Sequence, residues 1–171
     1  MMQGFCHIYT GDGKGKTTAA FGLAIRAACS GKSVFIGQFI KDMAYEETKI
    51  GKILKEIHIE QMGLGCIFDR EPSPEEYEIA VASLKRCKDL LAEGAYDVVI
   101  LDEITIAVYL GLISEEAVLD ALKARAAHVE VVLTGRYATE GLIDYADLVT
   151  EMKEIKHYYQ QGVISRKGID C

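Results

Sequence analysis

Residues 9–18 read Tyr-Thr-Gly-Asp-Gly-Lys-Gly-Lys-Thr-Thr, and no other stretch restricts the fold as tightly. Before it, Phe5 to Tyr9 is short, apolar and rich in β-branched or aromatic side chains, which predicts a strand. After it, Thr17 to Ser30 places Ala20, Leu23, Ala24 and Ala27 on one face, which predicts a helix. Strand, glycine loop, Gly-Lys-Thr and helix is the context of a P-loop. Glycines let backbone N–H groups turn toward phosphate oxygens, and the helix N-terminus adds partial positive charge. Lys16 is placed to reach outer phosphates and Thr17 to put its hydroxyl on a metal. A solvated glycine–lysine turn is the bland alternative, and both flanks argue against it. Thr10 stands where the usual G-x-x-x-x-G-K-[ST] pattern has its first glycine. The loop is therefore a variant, and a nucleotide need not lie in it as in ordinary ATPases.

With 171 residues, a single domain spanning 1–171 is expected, large enough to bury about two-thirds of its unfolded surface. A net charge of −7 argues against a nucleic-acid partner, which would call for a basic face. An anionic substrate must then be held by a local cluster of positive charge. Cys6, Cys29, Cys66, Cys87 and Cys171 form no CxxC and no zinc-like spacing with the histidines, a pattern of reduced thiols. No apolar run approaches membrane length and no leader is evident. A soluble, cytoplasmic protein without a membrane partner is the expectation.

Further along, Ser33–Ile40 reads as a second strand ending at Lys41, and Ile57–Met62 as a third, with a short helix between them around Glu47–Lys55. Residues 63–70 form a glycine-broken loop. Ser73-Pro74-Glu75-Glu76 opens a helix with a capping box and proline in its first turn, running to Glu93 before Gly94. Its stripe of Tyr77, Ala80, Leu84, Cys87 and Leu91 reads as core, with Cys87 as buried filler. Asp97–Leu101 is a continuous apolar run, as in a central parallel strand covered on both faces, and ends in Asp102-Glu103. A helix from Ser114 to Arg125, a buried strand over 128–133, a short helix over 140–145 and a strand over 147–152 follow. Residues 153–171 are basic in patches, with a hairpin expected about Gln160-Gln161-Gly162. Alternating strands and helices predict a doubly wound, mainly parallel α/β sheet of P-loop NTPase type.

In such sheets ligands bind at the carboxyl ends of the strands. Here those ends carry the P-loop, Lys41, Asp102-Glu103 and Arg136. Asp102-Glu103 has the form of a Walker B element, one carboxylate holding Mg²⁺ opposite Thr17; spacing leaves open which. Lys41 and Arg136 alone would pass as surface charges, but their placement makes them anion contacts. His7, His58 and His157 are assigned no chemistry.

Several segments together resemble one family, the P-loop ATP:corrinoid adenosyltransferases. They are residues 9–20, Gln-Phe-Ile-Lys at 38–41, Leu-Asp-Glu-Ile at 101–104 and Leu-Thr-Gly-Arg at 133–136. Ala-Asp-Leu-Val-Thr-Glu-Met at 146–152, Ile-Lys-His at 155–157 and Arg-Lys-Gly-Ile-Asp at 166–170 complete the set. The resemblance implies a RecA-like sheet and transfer of the 5′-deoxyadenosyl group of ATP to cobalt(I) of a corrinoid, such as cob(I)alamin, with release of triphosphate. It implies ATP bound in the reverse of the usual sense, a homodimer, and a flavoprotein as electron donor. Gly11, Asp12, Gly13, Lys14, Gly15, Lys16, Thr17 and Thr18 would cradle the triphosphate. Thr17 and Glu103 would hold Mg²⁺ or Mn²⁺, with Arg26, Lys41 and Arg136 near the nucleotide. Lys16 and Glu103 would act on the developing charge.

The family's Gly-Phe-x-Trp loop, whose two aromatics displace the corrinoid's lower ligand, is matched here by Cys66 and Phe68, leaving Phe68 as the wedge. Almost nothing precedes the first strand, where better-known members carry an arm over the site. The rival classes are a P-loop phosphotransferase or ATPase, which needs a residue to position an acceptor near the γ-phosphate, and a non-catalytic corrinoid- or ATP-binding regulator.

Overall fold

The computed structural model describes residues 3–41, 45–65, 67 and 70–170. Five strands, β1 (Cys6–Thr10), β2 (Val34–Gln38), β3 (Ile57–Gln61), β4 (Val98–Asp102) and β5 (Glu130–Thr134), join β6 (Leu148–Glu151) in one sheet. Its order is β3-β2-β4-β5-β1-β6, and every pairing is parallel. The helices are α1 (Lys16–Cys29), α2 (Pro74–Glu93), α3 (Ile104–Tyr109), α4 (Glu115–Lys123) and α5 (Glu140–Tyr145). This is the α/β P-loop NTPase architecture expected above, with the sheet wholly rather than mainly parallel.

The central strands are buried on both faces, which is why they read as unbroken apolar runs rather than alternations. Successive side chains of a strand still point to opposite sides. Ile36, Ile100 and Val132 pack with Ala20, Phe21, Ala24 and Ala27 of α1. Phe35, Val99, Leu101, Val131 and Leu133 pack on the other face with Leu84, Cys87 and Leu91 of α2 and Val118 and Leu122 of α4. The small alanines of α1 let that helix lie close to the sheet. Cys87 is wholly buried, and burial pushes its thiol up to about 12. Cys6, Cys29 and Cys87 are all free thiols.

Helix α2 begins as its sequence dictates. Ser73 Oγ accepts from the Glu76 N–H at 3.3 Å, and the Glu76 carboxylate accepts from the Ser73 N–H at 2.7 Å. Arg70 adds two hydrogen bonds to the same carboxylate and, with those of Ser73, lowers its pKa to about 2. Gly94 closes the helix in the left-handed region, at φ 65°.

Three local expectations differ. Between β2 and β3 the chain forms a 3₁₀ helix, Glu46–Lys52, instead of a helix over 47–55. Helix α3 was not foreseen, because Ile-Thr-Ile-Ala-Val-Tyr is β-branched and aromatic and carries no helix signal of its own. The hairpin about Gln160–Gly162 is absent. Tyr158–Gln161 is instead a single 3₁₀ turn closed by Gly162 at φ 81°, since no strand lies alongside it to pair. No helix among the described residues is long and apolar enough to cross a membrane.

Candidate active site

The loop 11–15 joins β1 to α1, and its glycines are required by a close neighbour. The Gly13 N–H donates to the Met152 carbonyl at 2.6 Å, and a Cβ on Gly13 would lie 2.5 Å from that oxygen. Residue 152, just past β6, therefore braces the loop from the side. Lys16, almost fully buried, curls back and donates to the carbonyls of Gly11 at 2.7 Å and Gly13 at 2.8 Å. Burial, and then the nearby Arg136 charge, pull its pKa below the usual lysine value. As the first residues of α1, Lys16, Thr17 and Thr18 present N–H groups that helix geometry leaves unpaired.

Asp102, at the end of β4, is fully buried and saturated. It accepts from Thr17 Oγ1 at 2.8 Å, Thr134 Oγ1 at 2.7 Å, Gln38 Nε2 at 3.1 Å and Lys41 Nζ at 2.8 Å. The Lys41 ammonium, itself nearly buried, also lies 5.2 Å from the centre of the Tyr45 ring. Burial disfavours the Lys41 charge, but the Asp102 carboxylate outweighs it and the net shift is upward.

Glu103 is the reverse case. Its backbone is left-handed, at φ 61°, and its N–H is held by Thr134 Oγ1 at 2.9 Å. No hydrogen bond reaches its carboxylate among the described residues. Burial, and then the neighbouring Asp102 charge, push its pKa up. Ile40, Glu103 and Tyr137 are the three non-glycine residues with positive φ among those described, and they follow the adjacent strands β2, β4 and β5 at their carboxyl ends. Strained backbone collects where the chain must aim side chains at a site. Gly135 sits against this group: at φ 132°, its Cβ would lie 2.3 Å from Thr105 Oγ1 and 3.2 Å from Glu103 Oε2. Thr105 also donates to the Arg136 carbonyl at 2.7 Å, so α3 pins the loop that carries Arg136.

These groups surround a cavity of about 800 Å³. Asp12 to Thr18, Lys41, Glu103 and Arg136 all line it, together with Phe21, Gly22 and Ile25 of α1. Arg136 faces Asp12, with Nε 3.7 Å from its carboxylate. Arg26 is not among the lining residues; it is exposed on the last turn of α1, where its charge acts on Tyr9. Cys66 and Phe68 lie outside the described residues. Their flanks are placed: the Gly65 N–H donates to the Ile40 carbonyl at 2.9 Å, and Ile67 packs on the core. The loop bearing them thus starts beside Lys41.

The sequence matches the family described as ATP:corrinoid adenosyltransferase BtuR/CobO/CobP over residues 2–171. The chain belongs to this family. It is 36% identical over 170 residues to the corrinoid adenosyltransferase of Pseudomonas aeruginosa, covering 98% of this chain and 84% of that one. With the corrinoid adenosyltransferase CobA of Salmonella typhimurium it shares 35% over 168 residues, covering 98% and 86%. Among solved structures it resembles the flagellar accessory protein FlaH from Methanocaldococcus jannaschii, with a TM-score of 0.58 and 14% identity. That match covers 87% of this chain and 71% of the other and speaks to the fold alone. In this member of the corrinoid adenosyltransferase family, sequence reading missed the wall formed by residues 157–170. His157, Tyr158, Tyr159, Ile169 and Asp170 line the cavity, and the only signals toward that wall are the Ile-Lys-His and Arg-Lys-Gly-Ile-Asp segments of the family resemblance.

Proposed function

We propose that this chain transfers the 5′-deoxyadenosyl group of ATP to cobalt(I) of a corrinoid and releases triphosphate. The observation that carries the reading is the cavity where the P-loop, Glu103 and Arg136 converge, in a chain of the corrinoid adenosyltransferase family. The electron pair on cobalt(I) forms the bond to C5′, the C5′–O bond breaks, and its pair leaves on the triphosphate. No proton moves, so no base is needed. The protein's work is to hold C5′ in line with cobalt and to stabilise charge growing on the leaving triphosphate. Lys16, Arg136 and the N–H groups of residues 16–18 serve that charge. Lys16 must leave the Gly11 and Gly13 carbonyls to do so, and its burial strengthens the contact it makes.

The residues fit a divalent cation. Glu103 offers a half-buried carboxylate that accepts no hydrogen bond among the described residues and lines the same cavity as Thr17, and such ions need only one or two carboxylates when phosphates supply the rest. Mg²⁺ held by Thr17 and Glu103 would neutralise charge on the triphosphate. Asp102 is already saturated and takes the supporting role of orienting Thr17. Phe68, which lies outside the described residues, is assigned as the wedge beneath the corrinoid by its match to the family's Gly-Phe-x-Trp loop. The same reading takes the enzyme as a cytoplasmic homodimer served by a flavoprotein reductant; a monomeric mass by light scattering would remove the dimer. Phosphorus NMR after anaerobic incubation with ATP, Mg²⁺ and reduced corrinoid tests the reaction. Corrinoid-dependent triphosphate is expected, and ADP with phosphate would overturn it in favour of phosphoryl transfer.

A further inference from the structure

Beyond β6 the chain has no strand to pair with and doubles back across the mouth of the cavity. Its two short turns, Tyr158–Gln161 and 166–170, converge on the P-loop. The first is capped by His157 Nδ1, which accepts from the Tyr159 N–H at 3.0 Å. In the second, the Asp170 N–H donates to the Arg166 carbonyl at 2.8 Å. The Asp170 carboxylate then accepts from four donors: Lys14 Nζ, Tyr158 Oη, Arg166 Nε at 3.0 Å and the Arg166 N–H at 3.1 Å. Lys14 Nζ also donates to the Ile169 carbonyl at 2.7 Å and to Tyr158 Oη at 2.9 Å. The Arg166 guanidinium lies over the Tyr158 ring, 4.5 Å from its centre. On the other side of the mouth, Lys167 reaches Glu46 at 3.6 Å.

An ammonium, a guanidinium, a phenol and a backbone N–H on one oxyanion are what a phosphate oxygen requires. One of the four, Lys14, belongs to the P-loop itself, and Asp170 lines the same cavity. Lys14 Nζ has three N–H donors and spends them on Tyr158 Oη, the Ile169 carbonyl and Asp170, so a phosphate oxygen takes Lys14 only by displacing one of these acceptors. We propose that Lys14, Tyr158 and Arg166 form a further binding site for a polyphosphate oxygen, and that Asp170 competes for it as a built-in anion. Residues 157–170 are thus a strap latched by Asp170. Triphosphate displaces the latch on entry and presents Arg166 with a phosphate, and Asp170 retakes Lys14 and Arg166 as triphosphate leaves. The inference rests on the reading that the triphosphate lies in the P-loop.

Titration calorimetry with inorganic tripolyphosphate and Mg²⁺ separates the two. Asp170→Asn removes the competing charge and, with one oxygen left to accept, loosens the strap's hold on Lys14 and Arg166, so it is expected to bind tripolyphosphate on the order of tenfold more tightly than the parent chain. Adding Arg166→Ala to that variant should cancel the gain. Binding by Asp170→Asn no tighter than the parent, with Lys16→Ala still abolishing binding, overturns the latch and leaves the P-loop site standing. Parent-like binding by Lys16→Ala overturns the site reading itself.

Discussion

Asp102 and Glu103 are adjacent acids with opposite environments, and neutralising each should move stability in opposite directions. In Asp102→Asn the remaining oxygen can still accept from Thr17 and Thr134. Its new amide, however, faces Lys41 Nζ at 2.8 Å and Gln38 Nε2 at 3.1 Å, donor against donor. Gln38 can turn its amide over, but Lys41 is left as a nearly buried cation without its counter-ion. Breaking one side of a buried pair costs about 3–5 kcal/mol, and the Thr17 hydroxyl and Tyr45 ring beside Lys41 place this case near the lower end. For a chain of this length about 3 kcal/mol lowers Tm by roughly 6–12 °C.

Glu103→Gln breaks no hydrogen bond and removes a charge that burial and Asp102 already disfavour. Stability should hold or rise at neutral pH. The folded-state pKa lies above the ordinary 4.5, so the folded chain binds more protons and loses stability as pH rises from 4.5 through the raised value. The advantage of Glu103→Gln should therefore vanish below pH 4.5 and reach its full size above the folded pKa. Urea unfolding of both variants across pH reads this directly. Equal losses for the two substitutions, or a loss above about 1 kcal/mol for Glu103→Gln at neutral pH, would refute the assignment of Asp102 as structural and Glu103 as the free acid.

Turnover should fall by about two orders of magnitude in Lys16→Ala and in Glu103→Gln with the fold retained, as removal of one contact to developing charge costs about 3 kcal/mol; near-parent kcat in both would misplace the site. Ser73→Ala should cost about 1 kcal/mol through loss of the α2 cap. Because the Glu76 pKa is depressed, its contribution is present above pH 4.5 and is lost as pH falls toward about 2; an acid limb unchanged in Glu76→Gln would contradict that. Phe68→Ala should lower the fraction of bound cob(II)alamin that loses its lower ligand, read by low-temperature EPR with ATP present, and a parent-like fraction would place the wedge elsewhere.

The chain's local grammar was enough for the frame of the site. A glycine loop between an apolar strand and an alanine-faced helix, and an apolar run closed by Asp102-Glu103, are signals carried by neighbouring residues, and each appears where the pattern puts it. The α2 cap is equally local, since Ser73, Pro74 and Glu76 lie within one turn. What the sequence could not apportion was the work of the two acids. Asp102 is structural because Thr17, Gln38, Lys41 and Thr134 come to it from α1, β2, the loop just past β2 and β5, the farthest of them 85 positions away. Helix α3 likewise forms against its own propensity, because burial of Ile104 and Ala107 outweighs the preference of β-branched residues for strands. The strap at 157–170 shows in the sequence as basic patches and two short family-like segments, neither of which says what it meets. Its meeting with Lys14 spans more than 140 positions, and that distance is closed by the sheet order, which sets β6 beside β1 and returns the chain over the P-loop.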